Sequence, residues 1–287
     1  MSEGKKVIWI AGAKGSLGSQ LNRMMDQERF EVLATDLEVD VTDLEAVSSF
    51  AEKHHPDVVV NSTRYNGETG SQQEIMEMYH ANTLGARNLA VVSRKADAKI
   101  IQMSTDDVFS GDIAMELTEF DQTVPATDYG KSKLAAEKFV QSLNPKHFII
   151  RSSWVYGKTG KNFLTYIMRM AKDTQILSVP NDQISAPTSA KELAKFIISL
   201  METQEYGLFH ASCEGSSSRY GFAQAILDYA GITSMQLVPV LTSNKEIKAR
   251  YTVLKNLMME MTGIYKMPDW RAALKECIEE DNISVEA

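Results

Sequence analysis

Tyr129 and Lys133 stand four positions apart in the run Tyr-Gly-Lys-Ser-Lys, at the start of a helical pattern through Leu134, Ala135, Ala136, Glu137, Phe139 and Val140. Four apart on a helix places two side chains one above the other on the same face. A phenol beside an ammonium, both facing a hydroxyl, makes a proton donor whose anion is stabilised. The lysine charge favours phenolate, so the tyrosine pKa is expected to fall towards working pH. Carbonyl reduction needs such a group. The apolar run Lys99-Ile-Ile-Gln-Met103 predicts a short buried strand that delivers two hydroxyls, Ser104 and Thr105, at its C-terminal end. Taken alone, Tyr-x-x-x-Lys is a weak pattern that a solvated helix face also produces. Its weight comes from the elements that must position it.

Val7-Ile-Trp-Ile-Ala11 is continuously apolar, the mark of a strand covered on both faces in a parallel sheet. Gly12-Ala-Lys14-Gly15-Ser16-Leu17-Gly18 follows at once, and Leu17, Leu21, Met24 and Met25 then recur at helical spacing. Gly12 permits the sharp turn, Gly15 lets backbone approach a pyrophosphate, and Gly18 lets the helix pack close to the strand. Lys14, Ser16 and Leu17 join these glycines as candidate cofactor contacts. A second strand, Phe30–Ala34, leads to Asp36, placed as the acidic residue that hydrogen-bonds an adenosine ribose. Asp36 points to NAD, whereas Lys14 could meet a 2′-phosphate and points to NADP; both cofactors stay open. Asp40 and Val41 are candidates for adenine contacts. Thr42 is the expected N-cap of the next helix, with Glu45 at capping-box spacing and Leu44, Val47 and Phe50 as its apolar face. His54-His55 ends that helix; adjacent helical residues point apart, so the pair reads as solvated rather than metal-binding.

Asp57–Asn61 is the third predicted strand. Asn61, Ser62 and Thr63 lie at its C-terminal end, where open α/β sheets bind ligands. A long helix running to about Ala96 carries Asn82, a further candidate cofactor contact. His147–Arg151 is the fifth strand. The alternation of short buried strands with helices predicts an α/β fold, a doubly wound, Rossmann-like parallel sheet. After Tyr156 the rhythm changes. The expected division is a dinucleotide-binding domain over 1–156 and a smaller mixed α/β substrate-binding region over 157–287, some segments of which return to the first sheet. Within that region, Gln175–Val179 and Gly207–His210 read as strands, Asn181–Thr188 as loop, and Ser189–Met201 and Tyr220–Tyr229 as helices. The last 45 residues read as helical, with Leu254, Leu257, Met258 and Met261 in the core.

Composition narrows the function. The 287 residues carry a net charge of −8, which argues against nucleic-acid binding. No run is apolar for long enough to span a membrane, and the apolar run at Val7–Ala11 is too short for a secretion signal. Two cysteines, Cys213 and Cys277, make no disulfide framework, so a cytoplasmic protein is expected. His210 and Cys213 have no second ligand pair, and no metal site is predicted.

With these residues assembled, the sequence resembles the extended short-chain dehydrogenase/reductases and, within them, the dTDP-4-dehydrorhamnose reductase family. The resemblance covers nearly the whole chain. It is carried by Gly12, Gly15 and Gly18, by Ser-Thr-Asp-Asp-Val-Phe-Ser-Gly at Ser104–Gly111, and by Tyr129–Glu137. It continues through Arg-Ser-Ser-Trp-Val-Tyr at Arg151–Tyr156, Asn162-Phe163, and Asn-Asp-Gln-Ile-Ser-Ala-Pro-Thr at Asn181–Thr188. Four features depart from the family: Asp107 replaces a tyrosine, Asn61-Ser-Thr-Arg64 replaces Asn-Ala-Ala-Ala, Asn66-Gly-Glu-Thr-Gly70 replaces the acidic segment that follows, and the Arg-Pro-rich C-terminal segment is kept only at Arg250 and Leu254.

The resemblance implies reduction of a 4-keto sugar nucleotide, dTDP-4-dehydrorhamnose first among them, by hydride transfer from NADPH or NADH. Tyr129 would donate the proton, Lys133 would hold the nicotinamide ribose, and Thr105 would hydrogen-bond the carbonyl oxygen. Ser104, Asp106, Trp154, Asn162, Gln183, Ala186 and Arg250 would line the substrate site. Magnesium and a homodimer are possible on the resemblance alone. Two other readings use the same motifs, a non-catalytic dinucleotide-binding regulatory subunit and a related epimerase.

Overall fold

The computed structural model describes residues 4–67, 70–242 and 250–280. Six strands, β1 (Lys6–Ala11), β2 (Phe30–Thr35), β3 (Val58–Asn61), β4 (Lys99–Thr105), β5 (His147–Ser152) and β6 (Gly207–His210), form one sheet in the order β6-β5-β4-β3-β1-β2. Every neighbouring pair is parallel. The continuous apolar strands have their predicted cause. Ile8, Trp9 and Ile10 are all fully buried, but Ile8 and Ile10 join one core and Trp9 the other. Side chains alternate across a strand, so a sheet covered on both sides must be apolar at every position.

Helices α1 (Ser16–Met24), α2 (Leu44–His54), α3 (Gln72–Tyr79), α4 (Gly85–Lys95) and α5 (Asp128–Leu143) belong to the first half of the chain. Val47 of α2, Leu89 of α4 and Val140 of α5 pack with Trp9 on one face. Leu21 of α1 packs on the other face with Leu193, Phe196, Ile197 and Leu200 of α7 (Ala190–Met201). The second half of the chain therefore supplies both β6 and a covering helix to the first sheet. Its remaining helices are α6 (Phe163–Asp173), α8 (Arg219–Tyr229), α9 (Leu257–Thr262) and α10 (Trp270–Glu280).

Several local expectations are corrected. The N-cap of α2 is Asp43, whose carboxylate accepts from the Glu45 and Ala46 amides; Thr42 is instead folded onto Asp40. Leu44 then falls on the solvent side and is exposed. His54 packs on the Phe50 ring at 4.5 Å rather than standing free in solvent. The single long helix expected to reach Ala96 is two helices joined by a π-helical turn, His80–Leu84, which carries Asn82. The loop expected over Asn181–Thr188 contains two short strands: Ile184–Ser185 pairs with Ser217–Ser218, and Thr188–Ser189 with Val155–Tyr156. The strand near Gln175 finds an unpredicted partner in Gln236–Val240. The described part of the C-terminal segment is not wholly helical: Tyr251 and Leu254 make isolated β-bridges to Ile184 and Leu117 before α9 begins. Met261 is exposed, not core.

Candidate active site

The C-terminal ends of β1, β3 and β4 and the N-terminal turns of α1 and α5 converge on one crevice. At its floor, Gly12 has φ +82°, a left-handed conformation suited to glycine. A Cβ there would stand 2.9 Å from the Thr63 amide nitrogen. Ser62 Oγ donates to the Ala11 carbonyl at 2.7 Å, tying the end of β3 to this turn. A Cβ on Gly18 would lie 2.3 Å from the Gly12 carbonyl oxygen, so only glycine lets α1 start this close to the strand. Gly15 is the N-cap of α1, and no side chain caps the helix there. Its first amide N–H groups and the positive end of its dipole therefore suit a pyrophosphate. Asp36 accepts from the Lys14 amide at 2.9 Å, and the Lys14 ammonium lies 3.5 Å from Glu38. Lys14, Asp36 and Glu38 together form the outer end of this cradle.

A strap of chain from Gly157 to Asn162 crosses the start of α1. Ser16 Oγ donates to the Thr159 carbonyl at 2.6 Å. Asn162 caps α6 through its Oδ1 and donates Nδ2 to Ser16 Oγ at 3.1 Å and to the Gly157 carbonyl at 2.8 Å. Asn162, expected to line the substrate, is thus a structural clamp with its amide already engaged. Asn61 and Asn82 are engaged in the same way. Asn61 bonds Gln102 and both the amide and hydroxyl of Thr63, which turns the chain after β3. Asn82 exchanges hydrogen bonds with the Tyr65 backbone at 2.9 and 2.6 Å and donates to Ser132 Oγ, pinning the post-β3 loop to α5. Asp40 accepts from Thr42, and the Val41 carbonyl accepts from Asn88. Both therefore shape the loop before α2.

Tyr129 and Lys133 occupy the first turns of α5, with Thr127 as N-cap. Gly130 brings this helix against β4: a Cβ there would sit 2.0 Å from the Asp107 carbonyl oxygen. The Thr105 side chain is close enough to the Tyr129 phenol to pull its pKa down. Thr105 Oγ1 also donates to Asp106 and accepts from the Asp107 amide, each at 3.2 Å. Ser104, its neighbour, turns the other way and donates to Glu137 at 2.5 Å. With the Ser104 hydroxyl engaged by Glu137, β4 offers one hydroxyl to the crevice, not two.

The charges around the phenol correct a second expectation. Burial, the largest influence, holds the Tyr129 pKa above its ordinary value; the nearby cation pulling it down is Arg64, while Asp107 and Asp106 push it up. Lys133 is pushed down to about 8, first by burial, then by Arg64, with Glu137 opposing. The phenol is thus kept protonated, as a proton donor requires, and the cation acting on it is Arg64. Arg64 lies at the end of β3 and donates to the Lys161 carbonyl of the strap at 3.1 Å.

Around the far side of the crevice, Asp106 accepts from Thr252 at 2.5 Å and from Ser185 at 3.0 Å. Burial raises its pKa despite these bonds. Trp154 has φ +42°, a strained left-handed conformation for a side chain of its size. The Arg219 guanidinium carbon lies 3.7 Å from its ring centroid. Gln183 donates to Thr242 and accepts from the Arg219 amide, and the fully buried Ala186 receives Ser153 Oγ on its carbonyl. Both therefore support the wall. Arg250 is turned outward, largely exposed, 4.0 Å from Asp182. Residue type alone did not single out Arg219; its spacing after a serine-rich turn carries no motif. Glu137 had a detectable signal, since Tyr129, Lys133 and Glu137 repeat every fourth position on one helix face. Among the described residues, no group of His, Cys, Asp and Glu side chains could hold a metal ion. No described helix is long and apolar enough to cross a membrane.

The chain is 35% identical over 277 residues to the spore coat polysaccharide biosynthesis protein SpsK of Bacillus subtilis, covering 95% of this chain and 97% of that protein. It is 34% identical over 285 residues to the dTDP-4-dehydrorhamnose reductase of Aggregatibacter actinomycetemcomitans, covering 93% and 97%. The crystal structure of dTDP-4-dehydrorhamnose reductase from Bacillus anthracis in complex with NADP superposes with a TM-score of 0.92 at 34% identity, over 96% of this chain and all of that one. The model of the RmlD substrate binding domain matches residues 6–283, and the chain belongs to that family.

Proposed function

We propose that this protein reduces dTDP-4-dehydrorhamnose to dTDP-rhamnose, with Tyr129 as the proton donor. The observation that carries the reading is the packing of the first turns of α5, which hold Tyr129 and Lys133, against the end of β4 that holds Thr105, in a chain 34% identical to a dTDP-4-dehydrorhamnose reductase. The uncapped start of α1, with Gly12, Gly15 and Gly18, suits the pyrophosphate of a nicotinamide dinucleotide, and Lys133 suits its ribose. The bound nicotinamide supplies the hydride. The residues of this chain do the rest.

Thr105 and Tyr129 hydroxyls orient and polarise the C4 carbonyl oxygen. As negative charge develops there, the Tyr129 O–H bond breaks and its proton passes to that oxygen. The phenolate left behind faces the positive charge of Arg64, with the Lys133 ammonium one helical turn away. Burial makes each of these interactions stronger than in water. The site lies at the C-terminal edge of the parallel strands, the usual ligand-binding edge of such a sheet.

An NADPH-oxidation assay with dTDP-4-dehydrorhamnose, run beside other 4-keto sugar nucleotides and repeated with NADH, tests the reading. Tyr129→Phe is expected to lower kcat by roughly 10²- to 10⁴-fold while leaving dinucleotide affinity nearly unchanged. Full activity in that variant excludes the assignment. Cys213 and Cys277 are both buried, which suits a reducing cytoplasm. Sedimentation at assay concentration checks the homodimer.

A further inference from the structure

Arg219 is the first residue of α8, and its position is firmly set. Its amide donates to the Gln183 carbonyl at 3.0 Å, and Ser218 caps the helix by accepting from the Gly221 amide. Its guanidinium lies against an aromatic wall, 3.7 Å from the Trp154 ring centroid and 5.0 Å from that of Phe163. Phe222 continues the wall, stacked on Phe163 at 5.4 Å. Apart from these ring contacts, the guanidinium makes no hydrogen bond among the described residues.

Arg219 is half-buried, and guanidinium N–H groups turned away from water are costly to leave unmet. The nearby carboxylates do not meet them. Asp106 and Asp107 act on Arg219 through charge at a distance, and Asp106 is already occupied by the Thr252, Ser185 and Thr105 hydroxyls. A planar guanidinium fixed on a ring presents its N–H edge as a fork, the geometry that fits two phosphate oxygens.

Position decides which phosphate. Thr105, which acts on Tyr129, donates to one oxygen of Asp106, while the other accepts from Ser185, which pairs with Ser217 two residues before Arg219. The phenol and the guanidinium therefore flank the Asp106–Asp107 segment. In a sugar nucleotide reduced at C4, the reacting carbonyl and the diphosphate at C1 lie at opposite ends of the pyranose ring. We infer that Arg219, seated on Trp154, binds the diphosphate of the sugar nucleotide while Tyr129 addresses the carbonyl at the other end of the sugar. This inference rests on the sugar-nucleotide reading above. It assigns the anchoring charge to a residue outside the expected substrate set, in place of the outward-turned Arg250.

Binding of dTDP and of thymidine, measured by calorimetry and by quenching of tryptophan fluorescence, tests the assignment without using turnover. Wild-type protein is expected to bind dTDP more tightly than thymidine. Arg219→Gln is expected to lose about 10- to 100-fold in dTDP affinity, with thymidine affinity unchanged. Arg219→Lys keeps the charge without the fork and is expected to fall between the two. It also serves as the test if the glutamine variant does not fold. Equal dTDP affinity in wild type and both variants overturns the role of Arg219 alone. Failure of the wild-type protein to bind dTDP overturns the sugar-nucleotide reading and this inference with it.

Discussion

Arg151 grips Glu137 with two parallel hydrogen bonds, Nε to Oε1 at 2.9 Å and Nη2 to Oε2 at 2.8 Å, and both side chains are almost completely buried. The pair joins β5 to α5 directly below the reactive face, because Glu137 is one turn beyond Lys133. Ser104 of β4 donates to the same carboxylate, so two strands and the helix carrying Tyr129 share one polar joint.

Removing one partner of such a pair strands the other as a buried, unpaired charge. Glu137→Gln is expected to destabilise the fold by about 3–5 kcal/mol, read from denaturant unfolding. A loss below about 1 kcal/mol counts against the joint as a stabilising element.

Arg64 lowers the pKa of both Tyr129 and Lys133. Taking away its positive charge removes a penalty on the Lys133 ammonium and an attraction for the Tyr129 phenolate. Both pKa values therefore rise in Arg64→Ala, that of Lys133 from about 8. The basic limb of the kcat–pH profile is expected to move to higher pH. A profile that superposes on wild type removes Arg64 from the chemistry.

The contact between Gly18 and the Gly12 carbonyl leaves no room for a methyl group, and backbone on both sides cannot swing aside. Gly18→Ala is expected to cost about 1–3 kcal/mol of stability and to weaken dinucleotide binding as α1 is pushed off the turn. Thermal melting with and without NADPH measures both effects.

His210 is fully buried at the end of β6, with Nδ1 facing the Leu117 and Lys255 carbonyls. Burial first, then Arg151, pushes its pKa down to about 3 from an ordinary 6.5. Between those values the unfolded chain binds a proton that the folded one refuses, so stability falls as pH drops through that window. His210→Asn is expected to flatten that acid slope in unfolding measurements. An unchanged slope shows that the acid sensitivity lies elsewhere.

The strands and the first two turns were legible because their signals are local. A run such as Val7–Ala11 is apolar at every position only if both faces are covered, and Gly12, Gly15 and Gly18 follow it without interruption. The residue types of the reactive set were legible for the same reason, since four-residue spacing on a helix is a local property. Boundaries set by side-chain competition were not. Asp43 displaced Thr42 as cap, and a π-helical turn interrupted an otherwise continuous apolar pattern at Asn82.

The amino-acid sequence by itself determined the alternating architecture, the glycine turn, the placement of Tyr129 and Lys133 on one helix and the family. Each depends on periodicity or on neighbours a few residues apart. Only the tertiary structure decided which polar side chains remain available for a ligand. Asn61, Asn82, Ser104 and Asn162 spend their hydrogen bonds on distant partners, while the Arg219 guanidinium reaches the site with its donors unmet. Whether a hydrogen-bonding group is already engaged depends on residues tens to more than a hundred positions away, such as Ser16 beneath Asn162, and spacing along the chain carries no record of them.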